Sequence, residues 1–181
     1  MDVLLKIALL IAGLTLTVVV WYVVRPDERV WPPQKFGRLQ LIVGWGGTFT
    51  FFAIVIALGL LDWGNASIPH WLRYAVGPAL IVSGNVVVWS EVISIGTHQT
   101  MGATGQLKTD GFYRFSRNPQ YVSDIAILTG WALFSASPAV MPAAAAGIVV
   151  FLAFPFAEEG WLEEEYGTEY HKYRANVRRY I

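Results

Sequence analysis

The chain has no cysteine among its 181 residues, so disulfides, thiolate metal sites and cysteine nucleophiles are excluded. It is also poor in charge. Only 14% of its residues are Asp, Glu, Lys or Arg, against about 25% in a soluble domain. Neither sign is in excess, since 13 basic residues balance 13 acidic ones. That balance excludes nucleic-acid binding through a basic patch. Disorder is excluded too, because it needs low hydrophobicity and high net charge, and 55% of this chain is hydrophobic. No metal-ligand set is read from the sequence.

What is abundant is apolar sequence in long runs, with a mean hydropathy of +0.46. Runs of about 20 apolar residues read as bilayer spans. Five are marked, at residues 3–24, 39–61, 72–95, 122–137 and 139–157. The first is longer than the roughly 7–15 residues of a signal-peptide core, and no small-residue cleavage site follows it before Arg25-Pro26. It reads as a retained span. Only Pro138 separates the last two cleanly, so they are expected to form a tight helical hairpin, with a re-entrant hairpin as the alternative. The expected fold is one all-α integral membrane domain over residues 1–181, with a helical tail.

Basic residues set the expected orientation. Arg25, Arg29, Lys35 and Arg38 follow span one. Lys108, Arg114 and Arg117 follow span three, and Lys172, Arg174, Arg178 and Arg179 follow span five. Only Lys6 and Arg73 lie on the other side. The N-terminus is then outside, and the loop 96–121 and the tail 158–181 face the cytoplasm. Chemistry with a water-soluble cofactor belongs on that face, where the long loop and the tail supply nearly all the polar surface.

Ionisable residues at membrane depth are functional candidates by default. Glu91 lies about one turn inside the end of span three, Asp124 at the start of span four, and Glu158 with Glu159 at the end of span five. The plainer reading pairs each carboxylate with a loop arginine for stability. Glycines 44, 46 and 47 in span two suit close helix packing. In the tail, Leu162, Tyr166, Tyr170, Tyr173 and Val177 recur at helical spacing, interrupted at Gly167. This stripe is expected to cover the site rather than carry the reaction.

The most informative stretch runs Thr109-Asp110-Gly111-Phe112-Tyr113-Arg114-Phe115-Ser116-Arg117-Asn118-Pro119-Gln120-Tyr121. It is a glycine turn at Gly111, a basic aromatic strip, and an Asn-Pro that starts a helix. Arg114 and Arg117 can bind carboxylate or phosphate in forked geometry. Tyr113 and Tyr121 can stack on a ring, and Glu158 or Glu159 can accept from hydroxyls or an ammonium. These residues suit a polar, zwitterionic, ring-bearing cofactor without saying which.

Two ordered motifs, G-x-Y-R-x-x-R-N-P-x-Y and E-E-x-x-L-x-x-x-Y-G-x-E-Y-x-x-Y, flank the hairpin. Together they resemble the isoprenylcysteine carboxyl methyltransferase and phospholipid methyltransferase superfamily over roughly residues 105–179. The resemblance implies a membrane-embedded methyltransferase that uses S-adenosylmethionine without a Rossmann fold. It implies that Gln106, Leu107 and Lys108 border the cofactor. Tyr113, Asn118, Pro119, Gln120 and Tyr121 then form the core of its site with Gly111, and Glu158 is the cofactor-binding glutamate. Arg117 corresponds to the arginine beside that core, and His98 or Gln99 to an upstream polar contact.

The pattern departs in three places. Asn118 replaces the usual histidine, Gly105 stands where a histidine often precedes the strip, and Phe154 occupies the position of an arginine tied to a prenylcysteine carboxylate. The expected acceptor is lipophilic and enters from the bilayer: an isoprenoid or prenylcysteine carboxylate, a lipid amine, or a thiol. A carboxylate or thiolate needs no base. For an amine, Glu91, Asp124 or Glu159 could take the proton. Two rivals are an NADPH-dependent membrane reductase of the sterol-reductase type, echoed by Tyr121-Val122-Ser123-Asp124, and a non-catalytic protein of the same fold. Membrane lipids are the expected surroundings; no nucleic-acid partner is expected.

Overall fold

A computed structural model describes residues 1–25, 38–96 and 105–181, with residues 38–44 described by backbone alone. Among the described residues every regular element is helical. The elements are α1 (Asp2–Val24), α2 (Arg38–Leu61), a π-helical turn (Leu72–Val76) leading directly into α3 (Gly77–Ile95), a 3-10 turn (Gly111–Arg114), α4 (Pro119–Ser135) and α5 (Val140–Asn176).

Among the described residues, three stretches are long and apolar enough to cross a membrane: Asp2–Val24, Leu72–Ile95 and Val140–Asn176. Much of their surface is apolar and uncovered. On α3, Val82, Val86, Trp89 and Ile93 form an exposed stripe at three- and four-residue spacing, which in water would be a large liability. The chain is an integral membrane protein. The described apolar part of α2, Trp45–Leu61, is shorter. α4 has 17 residues, about 26 Å of helix against a hydrocarbon core of about 30 Å.

The expected hairpin is α4 followed by α5. Pro119 opens α4 in its first turn, where the missing N–H costs nothing. Ala136 closes it in the left-handed region, with φ 49°. The helix of the fifth span continues past residue 157 through Glu158–Glu165. It runs on to Asn176 through Pro155, and Gly167 alone leaves helical geometry, with φ 49° and ψ −123°.

Small residues let the backbones close up. A Cβ on Gly130 would lie 2.6 Å from the carbonyl oxygen of Gly77, and one on Gly84 would lie 2.8 Å from that of Ser123. The α3–α4 seam is therefore set by the absence of side chains at these two levels. Ala8 and Ala12 of α1 share the buried core with Ala143 and Ala144 of α5. α2 adds Phe51, Val55 and Leu58 to the same core, and Trp131 of α4 donates its indole N–H to the Val55 carbonyl at 2.9 Å.

One end of the hairpin is pinned. Asp62, just past α2 and 6% exposed, accepts from the Ser137 hydroxyl at 2.7 Å and the Ala139 N–H at 3.1 Å. Its other oxygen accepts from Asn65 at 2.6 Å. The Gly64 and Ala66 N–H groups donate to the Ser135 and Ala136 carbonyls. Arg73 donates to the Phe134 carbonyl at 3.1 Å and lies against the Trp63 and Tyr74 rings. The carbonyls that a helix end leaves without partners are thus met by the α2–α3 connection. The opposite end, where α3 stops and α4 begins, carries the candidate site.

Candidate functional site

Glu91 is 2% exposed on α3. Its Oε1 accepts the Phe112 N–H at 3.1 Å. Gly111 stands against the same oxygen with φ +58°, and a Cβ there would lie 2.9 Å from it. Left-handed geometry and close approach together explain a glycine at this turn. Glu91 Oε2 is buried and meets no hydrogen-bond partner among the described residues, and neither does Nε2 of Gln120. Buried polar groups are nearly always paired, so these two atoms mark unmet capacity for a polar ligand.

Tyr113 follows on the 3-10 turn. Burial, with the nearby carboxylates of Glu91 and Glu158, pushes its phenol far above the usual tyrosine range. It stays protonated at neutral pH, as a hydrogen-bond donor and not a base. Its backbone carbonyl accepts from the Tyr173 hydroxyl at 2.7 Å. Tyr173 is raised by burial and by Tyr170, while burial and Glu159 push Tyr170 up to about 12. The tail stripe therefore packs neutral phenols on the loop. Tyr166 adds a bond to the Gly105 carbonyl at 3.0 Å.

From α4, Tyr121 donates to Glu158 of α5 at 2.5 Å. The tyrosine ring stacks on Phe154, with centroids 5.4 Å apart and planes 13° apart. Phe151 continues the stack. The aromatic at position 154 thus forms the apolar wall beneath the Tyr121–Glu158 pair.

Beside this pair lies a second cluster. Glu159 is 7% exposed and is gripped by two arginines. Arg117 approaches Oε1 at 3.1 Å. Arg179 makes a forked pair, at 2.8 Å to Oε1 and 2.7 Å to Oε2. Asn118, buried, donates from Nδ2 to the Arg179 carbonyl at 2.9 Å, and its N–H donates to the Ser116 hydroxyl oxygen at 3.1 Å. The consecutive residues Glu158 and Glu159 therefore divide two clusters, one built on tyrosines and carboxylates, the other on arginines.

A model of the phospholipid methyltransferase family matches residues 72–169, more than half of the chain. The chain belongs to the phospholipid methyltransferase family. No curated protein and no solved structure matches it significantly. As a phospholipid methyltransferase family member it is a membrane methyltransferase in class, and the superfamily indicated by its two motifs is the right one. The matched span takes in α3, the loop, the hairpin and the first part of the tail, which carry the tyrosine–carboxylate cluster and, apart from Arg179, the arginine cluster.

Within this family member, Glu91, Tyr113, Tyr121 and Glu158 come together, and Asp124 lies one turn along α4 within electrostatic reach of Tyr121. Pro119 is buried at the start of α4. Arg117, Asn118 and Glu159 belong to the arginine cluster. Gln106, Leu107 and Lys108 lie on the connecting strip, where Lys108 donates to Ser94 at 2.7 Å and pairs with Asp110 at 2.7 Å. His98 and Gln99 fall outside the described residues. Sequence reasoning passed over Arg179 and Tyr173 as site residues. Arg179 entered only as a charge that set orientation, and nothing in its spacing ties it to Glu159. Tyr173 was legible as part of the stripe, but its acceptor, a backbone carbonyl, leaves no mark in a sequence.

Proposed function

We propose that the chain transfers a methyl group from S-adenosylmethionine to a lipophilic acceptor at the end where α3, α4 and α5 converge. The observation that carries this reading is the Tyr121–Glu158 pair, set beside a buried Glu91 with one oxygen unpartnered. Buried carboxylates next to neutral phenols fit a ligand that is cationic and rich in hydroxyl and amine donors. The unmatched Gln120 nitrogen offers a donor for its acceptor atoms.

When bound, the sulfonium donor supplies an electrophilic methyl whose departure leaves a neutral thioether. The residues of the chain have to hold, align and dry the site rather than form a covalent bond. Glu158 is assigned to binding, oriented by Tyr121. Tyr113 supplies a neutral donor beside it, and Tyr121, Phe154 and Phe151 form an apolar wall on the bilayer side. The acceptor is an isoprenoid or prenylcysteine carboxylate, a lipid amine or a thiol. For an amine, a proton must leave, and Glu91 or Asp124 can take it. Glu159, held by two arginines, is assigned to position rather than to proton transfer, together with Arg117. Gln106, Leu107 and Lys108 border the same ligand.

We further read five spans with the N-terminus outside and the site on the cytoplasmic face, supported by the placement of 11 of the 13 basic residues.

The test is calorimetry on the purified protein in detergent, titrated with S-adenosylmethionine and separately with NADPH. Binding of the first alone is expected. Glu158→Ala should lose it while eluting like the wild type. Unchanged affinity in that variant would remove Glu158 from the assignment, and binding of NADPH alone would replace methyl transfer with reduction.

A further inference from the structure

After Asn176 the chain leaves the helix, and Val177 is extended, with φ −123° and ψ 134°. The residues that follow do not trail into solvent. The Arg178 carbonyl accepts the Arg117 N–H at 2.9 Å. The Arg179 carbonyl accepts from both the Ser116 hydroxyl at 3.3 Å and Asn118 Nδ2 at 2.9 Å. The Arg179 guanidinium makes its fork to Glu159 and lies 4.0 Å from the Phe156 ring centroid. Tyr180 donates to the Leu152 carbonyl at 2.6 Å. The segment is a strap that ties the loop before α4 to the middle of α5.

We propose that Arg179 is a positioning residue for the cofactor site: its fork to Glu159 holds the strap shut over Ser116 and Asn118, and so sets the distance between the start of α4 and Glu158. This rests on the reading of the site as an S-adenosylmethionine site.

The reasoning is mechanical. Tyr121 comes three residues after Asn118, and Glu158 comes one residue before Glu159. The strap bonds Asn118 through the Arg179 carbonyl and Glu159 through the guanidinium of the same residue. One residue thus spans the two elements whose separation decides whether Tyr121 reaches Glu158. Bidentate geometry makes arginine the residue suited to this task, and lysine a partial substitute. Arg117 also pairs with Glu159 and meets the strap through its N–H to the Arg178 carbonyl, but only Arg179 carries a side chain from the strap itself to Glu159. The Asn118 side chain takes part as well: its amide nitrogen is committed to the strap, which gives a use for asparagine at a position where the superfamily pattern carries histidine.

If strap closure and cofactor binding share these contacts, each must favour the other, since coupling between two events is reciprocal. The experiment has two parts, both on the full chain in detergent. First, S-adenosylmethionine affinity is measured by calorimetry for the wild type, Arg179→Ala and Arg179→Lys. Arg179→Ala is expected to bind about tenfold more weakly or worse, with Arg179→Lys between it and the wild type. Second, hydrogen exchange is followed in the wild type on peptides covering 115–119 and 174–181, with and without S-adenosylmethionine. The cofactor is expected to slow exchange in both, because the Arg117 amide donates to the strap. A wild type that fails to bind S-adenosylmethionine overturns the cofactor reading and this proposal with it. A wild type that binds, with Arg179→Ala binding equally well, overturns the proposal alone. Exchange that the cofactor leaves unchanged overturns it without any substitution, so the test stands even if Arg179→Ala does not fold.

Discussion

Asp62 shows how much one side chain can organise far from any chemistry. Hydrogen bonds from Asn65, Ser137 and the Ala139 backbone, in that order, hold its carboxyl below the usual value of 3.8. A carboxyl whose value falls on folding stabilises the fold at every pH above its ordinary value, and that contribution disappears as pH falls through the lowered value. The wild type should therefore lose thermal stability below pH 3.8 more steeply than Asp62→Asn. At neutral pH, Asp62→Ala leaves the Ser137 hydroxyl and Ala139 N–H without their acceptor and should lower the unfolding temperature by several degrees. A pH series of thermal melts in detergent reads both. At this scale the sequence was most legible where chemistry is encoded in residue type. Glu91, Tyr121 and Glu158 stand out as polar groups in apolar runs. Asp62 sits at the end of such a run and looks like a loop residue, because its importance comes from a hydrogen-bond partner 75 residues away.

Among the elements, the hairpin was legible because Asn118-Pro119 and Pro138 punctuate the pattern, and the break at Gly167 because glycine interrupts a stripe. The run of α5 past residue 157 was legible as well: the apolar sequence stops there, but the acidic stretch Glu158–Glu165 is made of good helix formers and carries the helix on to the break at Gly167. The α3–α4 seam was hidden, as glycines 77, 84 and 130 lie in segments where many small residues occur. Their roles predict an asymmetry. Gly84→Leu would drive a side chain into Ile127 and the Ser123 carbonyl, an overpacking that costs about 1–3 kcal/mol and opens the seam on which Glu91 is mounted. A Cβ on Gly13 of α1 would meet nothing within 4 Å among the described residues, so Gly13→Leu should leave stability unchanged. Melting temperatures of the two variants in the same detergent make the comparison.

For the molecule as a whole, the absence of cysteine becomes an experimental convenience. Single cysteines report the side of the membrane without any background to remove. Ser67 and Lys172 are both exposed, on the α2–α3 connection and on the tail. In intact cells, Ser67→Cys should react with a membrane-impermeant maleimide and Lys172→Cys should react only after lysis. The reverse pattern would invert the molecule and move the site to the outer face. The division of basic residues is what supports the proposed orientation, and the labelling tests it; the exposed apolar stripe on α3 fits a lipid-facing surface. The shape of the site was not readable, because it depends on which carboxylate meets which arginine: Arg179 reaches Glu159 from 20 residues further on and Arg117 reaches it from the other side of the hairpin, a matter of packing rather than pattern.

The pinned end of the hairpin has a mechanical consequence. Two rods joined at one end do not move uniformly when they tilt about it: a small tilt is amplified along their length. With α4 about 26 Å long, a tilt of about 5° about a fulcrum at Asp62 displaces its start by about 2 Å, enough to make or break a hydrogen bond. The fulcrum lies at the end of the hairpin opposite Tyr121 and Glu158, so the point of greatest travel coincides with the pair assigned to the cofactor. Any tilt of α4 about this end would therefore be felt at the Tyr121–Glu158 pair far more than at Asp62.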